Sequence, residues 1–148
     1  MALTGGLPAS VGRCTKLKRL NLWGNLLEGE IPQALGQCVQ LQQLRLDQNQ
    51  LSGPIPDQLG QCAAVEELDL HSNRCTGGVP AWLGGCTKLK RLLLHHNRLE
   101  GEVPASELAR LTALEQLDLS DNDALTISAA GKQALERALP NTTISLQK

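Results

Sequence analysis

At 148 residues and a formal net charge of −1, the chain is one ordinary-sized domain with no global charge to draw it to nucleic acid or to an anionic membrane. Hydrophobic residues make up 41% of it, yet they never run unbroken for the roughly 20 residues that a bilayer demands, so membrane insertion is not expected. Phe and Tyr are absent, and with Trp23 and Trp82 as the only aromatics the stacking platforms of single-stranded nucleic-acid and sugar sites are missing.

The chain opens on Leu3-Thr-Gly5-Gly-Leu7-Pro8, with no basic segment followed by an apolar run, so no signal peptide is visible. One pattern then recurs. Asn25, Asn49, Asn73 and Asn97 fall at a strict 24-residue spacing, with Asn122 one residue late. A fixed period of this size marks a stack of like units, each burying its apolar face against its neighbours. Ahead of the asparagines stand Leu17, Leu20 and Leu22; Leu41, Leu44 and Leu46; Val65, Leu68 and Leu70; Leu89, Leu92 and Leu94; Leu114, Leu117 and Leu119. Side chains alternate across a strand, so the leucines point inward and the residues between them outward. Each unit therefore supplies one short parallel strand, near 18–24, 42–48, 66–72, 90–96 and 115–121.

Each asparagine follows its strand where the chain bends inward and leaves backbone groups out of reach of water. Its amide is expected to satisfy donors and acceptors of the adjacent coils. The next step, as in Gly29-Glu-Ile31-Pro32 and Gly53-Pro-Ile55-Pro56, is extended, because proline presets φ and biases the residue before it. A second, irregular strand is predicted there. The following Gln33-Ala-Leu35-Gly36 and Asp57-Gln-Leu59-Gly60 have room for one 3₁₀ turn ended by glycine. The fifth unit, Ala105-Ser-Glu-Leu108-Ala109, has one extra residue and no glycine, which predicts a slightly longer helical turn.

After Asn122 the repeat dissolves into a cap over 124–148. Ser128 can cap a helix through about Leu139, with Ala130, Ala134, Leu135, Ala138 and Leu139 on one apolar stripe and Pro140 as its stop. Thr142-Thr-Ile144-Ser-Leu146 alternates as a final strand, with Ile144 expected beside Leu119. No matching cap precedes the first strand. The first coil is thus expected to meet upstream repeats of a longer chain or a docking subunit.

The phrase L-x-x-L-x-L-x-x-N followed by L-x-G-x-[IV]-P resembles the plant-specific class of leucine-rich repeats, over roughly residues 3 to 122. The resemblance implies an α/β fold within a single domain, 1–148. That fold is a right-handed solenoid, or horseshoe, with short parallel strands on the concave face, a 3₁₀ and irregular convex side and a C-terminal helix-strand cap. Extracellular receptors and polygalacturonase inhibitors of this class usually carry flanking cysteine pairs, which this chain lacks. Compartment therefore stays open, with the missing pairs leaning toward an intracellular protein and the sequon Asn141-Thr-Thr143 compatible with secretion.

Cys14, Cys38, Cys62 and Cys86 recur at the 24-residue spacing and Cys75 stands where other units have leucine, so all five are expected as buried free thiols. His71 and His95 share an outward column with Trp23, Asp47 and Ser120, and His96 lies beside them. Two imidazoles one coil from Asp47 are compatible with a weak transition-metal or pH-sensitive patch, but a plain recognition surface fits better, and no metal or cofactor is expected. There is no nucleophile elbow and no glycine-rich phosphate loop, so the chain is not expected to be an enzyme. Charges alternate by coil: Lys16, Lys18 and Arg19 are followed by Glu66, Glu67 and Asp69, then Lys88, Lys90 and Arg91, then Glu115, Asp118 and Asp121. Glu66 should lie beside Lys90 and Glu67 beside Arg91.

Positions that vary from unit to unit while packing fixes the rest are Trp23, Arg45, Asp47, Asp69, His71, Arg91, Leu93, His95, His96 and Asp118. They mark a concave surface expected to bind a protein or peptide, with Trp23 as anchor and Leu93 as an apolar contact. Two other functions remain: a spacer docking through its first coil, and an inhibitor of a secreted wall-degrading enzyme, the latter by fold analogy.

Overall fold

The computed structural model describes residues 1–147. Its main sheet is formed by Arg19–Asn21, Gln43–Arg45, Glu67–Asp69, Arg91–Leu93 and Gln116–Asp118, all parallel, with Thr143–Ser145 added beyond the fifth strand. Leu20 faces Leu44, Leu44 faces Leu68, Leu68 faces Leu92 and Leu92 faces Leu117, so the register follows the spacing of the asparagines. Regular pairing covers only three residues per strand, fewer than predicted. Inter-coil hydrogen bonds nevertheless run from Gln42 N donating to Lys18 O to Gln48 N donating to His71 O. The chain then turns inward at Gly24, Gln48, Ser72, His96 and Asp121, a column with φ between 54° and 70°.

The asparagines do what their position requires. Asn73 accepts from Leu51 N at 2.9 Å and donates to Leu46 O at 2.9 Å and Leu70 O at 3.1 Å. Asn49, Asn97 and Asn122 repeat the arrangement. Each amide thereby ties two coils, its own and the one before. Inside this belt the core is a leucine column; Leu46, Leu70, Leu92 and Leu94 are fully buried, whereas Leu17, Leu20 and Leu22 of the first coil are half-buried.

A second set of short strands is present as Thr4–Gly5, Leu26–Glu30, Gln50–Pro54 and Arg74–Thr76, with Glu100–Glu102 and Ala124–Thr126 forming a separate pair; they begin ahead of the predicted Gly-x-[IV]-Pro step, whose Ile31-Pro32 and Ile55-Pro56 lie outside them. The convex side carries 3₁₀ turns at Ala9–Arg13, Gln33–Gln37, Asp57–Gln61 and Ala81–Gly85, each entered from a proline. The recurrent glycines Gly36 and Gly60 do not end their turns, contrary to the sequence reading. Gly36 lies inside its turn without a left-handed φ, and a Cβ there would sit 2.2 Å from Gln58 O. The glycine is needed for the close approach of neighbouring coils. In the fifth unit the short α-helix Ala105–Leu108 replaces the turn.

The cap helix is Ala129–Ala138, with Ser128 Oγ accepting from Gly131 N. Leu135 and Leu139 are buried, but Ala130 and Ala134 are exposed, so the apolar stripe is narrower than predicted. Ile144 pairs with Leu117 and not with Leu119. From Leu117 to Ile144 the chain advances 27 residues, two more than the 25 expected from Leu119, because the helix takes up extra chain, and a shift of two keeps the same side chains facing inward. Among the described residues no helix is long and apolar enough to cross a membrane.

Four of the cysteines are buried free thiols; Cys14 is free but exposed, because no described coil stacks on the first one. Burial pushes the thiols of Cys62 and Cys75 up to about 11. Native protein treated with a thiol reagent at neutral pH is therefore expected to label at Cys14 alone, the other four reacting only on unfolding. Rapid labelling of Cys62 or Cys75 in the folded state would contradict this packing.

Candidate functional site

The outward side chains of the main sheet stand in columns because each strand alternates and each coil repeats the last. One column reads Trp23, Asp47, His71, His95 and Ser120; the next reads Asn21, Arg45, Asp69, Leu93 and Asp118. Trp23 is 49% exposed, and the Arg45 guanidinium lies 5.4 Å from its ring centroid. From there a polar network runs across the face. Arg45 Nε is 3.3 Å from Asp47 Oδ1, 3.7 Å from Glu67 and 4.0 Å from Asp69. His71 Nδ1 lies 2.5 Å from Asp69 Oδ1, and its Nε2 lies 3.9 Å from Asp47 Oδ2. The His71 and His95 rings stack, with centroids 4.4 Å apart and planes within 6°. His95 Nδ1 is 3.4 Å from Asp118, close enough for charge attraction but not aligned as a hydrogen bond. Asp118 Oδ1 instead accepts from the hydroxyl and the amide of Ser120.

Three of the predicted contact residues are buried: Asp47 is 0%, Asp69 3% and Leu93 4% exposed. Column position fixes the direction of a side chain and not its depth, and these short side chains have long neighbours. Leu93 is therefore not the exposed apolar anchor that its column suggested. Asp47 and Asp69 instead contact Arg45 and His71 and hold them in place. His96 is exposed but sits on the left-handed turn after its strand, 3.2 Å from Asp121. Asp47, Asp69 and His71 bring potential ligand atoms within 4.8 Å of one another. Arg45 is already seated on the Asp47 carboxylate, so the group carries its own counter-charge.

Burial raises the pKa of Asp69, against which the hydrogen bonds from His71 work. Burial also lowers His95, against the pull of Asp118. A histidine whose folded pKa lies below the ordinary 6.5 or so is protonated first in the unfolded chain. Stability that is intact near pH 7.5 is then lost as pH falls through 6.5 and the folded value. Urea midpoints taken between pH 7.5 and 5 are expected to fall less in His95→Gln than in the parent. Equal slopes would show that His95 does not carry this dependence.

At the leading edge of the strands lies an open groove of about 330 Å³ lined by Arg19, Gln42, Gln43, Glu66, Glu67, Lys90, Arg91 and Glu115. Both anticipated ion pairs form there, Lys90–Glu66 and Arg91–Glu67, each at 3.4 Å. Arg91 is the one predicted contact residue among them. Glu67, which also meets Arg45 and Gln43, is the hub; the sequence reading paired it with Arg91 but did not place it among the contact residues. Its signal was available in the column Arg19, Gln43, Glu67, Arg91 and Gln116, one alternation step before the residues chosen.

The sequence matches models of the leucine-rich repeat over residues 63–124 and over 16–38 and 40–62. No curated protein sequence matches it. Among solved structures it resembles the plant peptide hormone receptor RGFR1 in complex with RGF2, at 30% identity and a TM-score of 0.86, covering 99% of this chain and 23% of the receptor chain. The ectodomain of the Arabidopsis receptor kinase HAESA, in complex with an IDA peptide hormone ligand, is 35% identical with a TM-score of 0.78, over 85% of this chain and 21% of that one. The ectodomain of the receptor kinase SOBIR1 from Arabidopsis thaliana is 30% identical with a TM-score of 0.81, over 86% of this chain and 68% of that one. The chain thus spans about a quarter or less of the first two and about two thirds of the third. With five coils in register, their asparagine ladder and these relatives, the chain belongs to the leucine-rich repeat family, in its plant-specific class.

Proposed function

We propose that this domain is a non-catalytic recognition module that binds a protein or peptide on its concave face and the adjoining strand-start groove. The observation that carries the reading is the contrast between columns. Those facing inward repeat leucine in nearly every coil, whereas those facing the groove change in charge, size and hydrogen-bonding capacity from coil to coil. Packing explains the first set and leaves the second free to specify a partner. Two relatives point the same way: one is a peptide hormone receptor and another is described with a peptide hormone ligand.

Trp23 and Arg91 are the exposed members suited to anchor a partner, since aromatic and guanidinium side chains dominate binding energy at interfaces. Heptapeptides selected from a displayed random library supply a ligand. Trp23→Ala and Arg91→Glu are each expected to weaken the selected peptide about tenfold or more, roughly 1.4 kcal/mol. Gln61→Ala, exposed on the convex turn, should leave it unchanged. The reverse pattern would move the binding site to the convex side.

A further inference from the structure

We infer that the strand-start groove reads an extended peptide segment of about six residues, acidic where it meets the first coil and basic where it meets the fifth. The inference rests on the concave-face reading above and adds the ligand's charge order. It comes from how charge is distributed along two neighbouring columns. One reads Lys18, Gln42, Glu66, Lys90 and Glu115; the other reads Arg19, Gln43, Glu67, Arg91 and Gln116.

In the middle of the groove the charges satisfy one another. Lys90 turns to Glu66 and Arg91 to Glu67, each at 3.4 Å, and Glu67 also holds Arg45 and Gln43. At the first coil they do not. Arg19 pairs in register with Gln43, which is neutral, and residues 1–27 include Arg13, Lys16, Lys18 and Arg19 without a single Asp or Glu. Lys18 and Arg19 are exposed and have no ion pair among the described residues. At the fifth coil Glu115 is exposed, and with Lys90 turned to Glu66 it has no ion pair among the described residues either. The strand beyond offers Thr143 opposite Gln116, and no cation. The groove therefore has a neutralised centre and open ends of opposite sign.

Four strand spacings of about 4.8 Å separate the ends, roughly 19 Å, which an extended chain rising about 3.3 Å per residue covers in about six residues. A carboxylate side chain at the first coil meets Arg19, whose planar fork suits two-point contact, with Lys18 beside it. A lysine or arginine at the other end meets Glu115. The reversed order places like charges together at both ends, so the groove discriminates by repulsion as well as attraction.

The test is selection of random heptapeptides displayed on phage against the intact protein and against the charge-swapped variant Lys18→Glu, Arg19→Glu, Glu115→Lys. Parent-selected peptides are expected to carry an acid and a base four to six positions apart in one constant order, and variant-selected peptides the opposite order. A synthetic consensus peptide should bind the parent at least tenfold more tightly than its charge-reversed isomer, with the preference inverted in the variant. The single change Glu115→Gln should remove the demand for a base without removing the demand for an acid. Peptides that depend on Trp23 yet show no charge order, or whose order persists in the variant, overturn this inference and leave concave binding standing. Selected peptides indifferent to Trp23 and Arg91 overturn both.

Discussion

Asn73→Ala is expected to cost about 3 kcal/mol in urea or guanidinium unfolding, several times the cost of Asn25→Ala. The two residues occupy the same column with different surroundings. Asn73 is buried and holds Leu51 N, Leu46 O and Leu70 O. Its loss does not strand all three, because Leu46 O also receives Asn49 and Leu70 O also receives Asn97. What remains unpartnered is the buried amide of Leu51, and that penalty, with the small cavity, sets the magnitude. Asn25 holds Leu3 N at an exposed edge, and its amide donates within its own coil to Leu22 O and Trp23 O. Water can replace those contacts, so about 1 kcal/mol or less is expected there. Asn73→Asp separates the two functions of the amide. The carboxylate still accepts from Leu51 N but sets its second oxygen against the carbonyls of Leu46, Leu70 and His71. Equal losses for Asn25→Ala and Asn73→Ala would mean that the ladder is not what ties the coils.

Gly36→Ala is expected to destabilise by a similar amount, about 3 kcal/mol, for a steric reason. The added Cβ would lie 2.2 Å from Gln58 O and 2.7 Å from Gln58 C, backbone atoms of the next coil. Relief requires the convex side to open, and the turns at Gln33–Gln37 and Asp57–Gln61 are held by the same core that closes the concave sheet. Gly60, one coil on, faces the Cβ of Trp82 at 3.3 Å, a contact with more freedom to relax. Gly60→Ala should therefore cost less. Gly85 meets nothing within 4 Å and is not in a left-handed conformation, so Gly85→Ala should leave stability unchanged or raise it slightly. That ranking, Gly36 well below Gly60 and Gly60 below Gly85, separates close approach from helix-ending as the reason for the glycines. Helix-ending would make the effects of Gly36→Ala and Gly60→Ala alike.

The glycine column shows where sequence reasoning stops. Spacing alone locates Gly12, Gly36, Gly60 and Gly84, but the distance between neighbouring coils is a property of the stack and not of one unit. The same limit governs the cap. The alternation of Thr142 to Leu146 identifies a strand, while its register beside Leu117 depends on how much chain the helix Ala129–Ala138 takes up. Periodicity did carry the asparagine ladder, the leucine core, the His71–His95 neighbourhood and both groove ion pairs, because each follows from stacking equivalent positions. It did not carry depth. Asp47, Asp69 and Leu93 point outward as their positions require, yet they are covered by what surrounds them. Cys14 misled in the opposite sense, since its column is buried wherever another coil lies on top, and the first coil has none among the described residues.

Depth also reshapes the candidate site. Its charged residues include buried ones that hold others in place, Asp47 and Asp69, and exposed ones, of which Arg91 pairs with Glu67 while Arg19 and Glu115 have no ion pair among the described residues. In the proposed reading the groove and Trp23 form the contact surface, with the Arg45–Asp47–Asp69–His71 network as its support.

Photo-crosslinking tests that assignment most directly. With p-benzoylphenylalanine in place of Gln42 in the groove, or in place of Gln37 on the convex turn, a selected heptapeptide is expected to crosslink from position 42 and not from position 37. Crosslinks from position 37 alone would contradict recognition through the concave face.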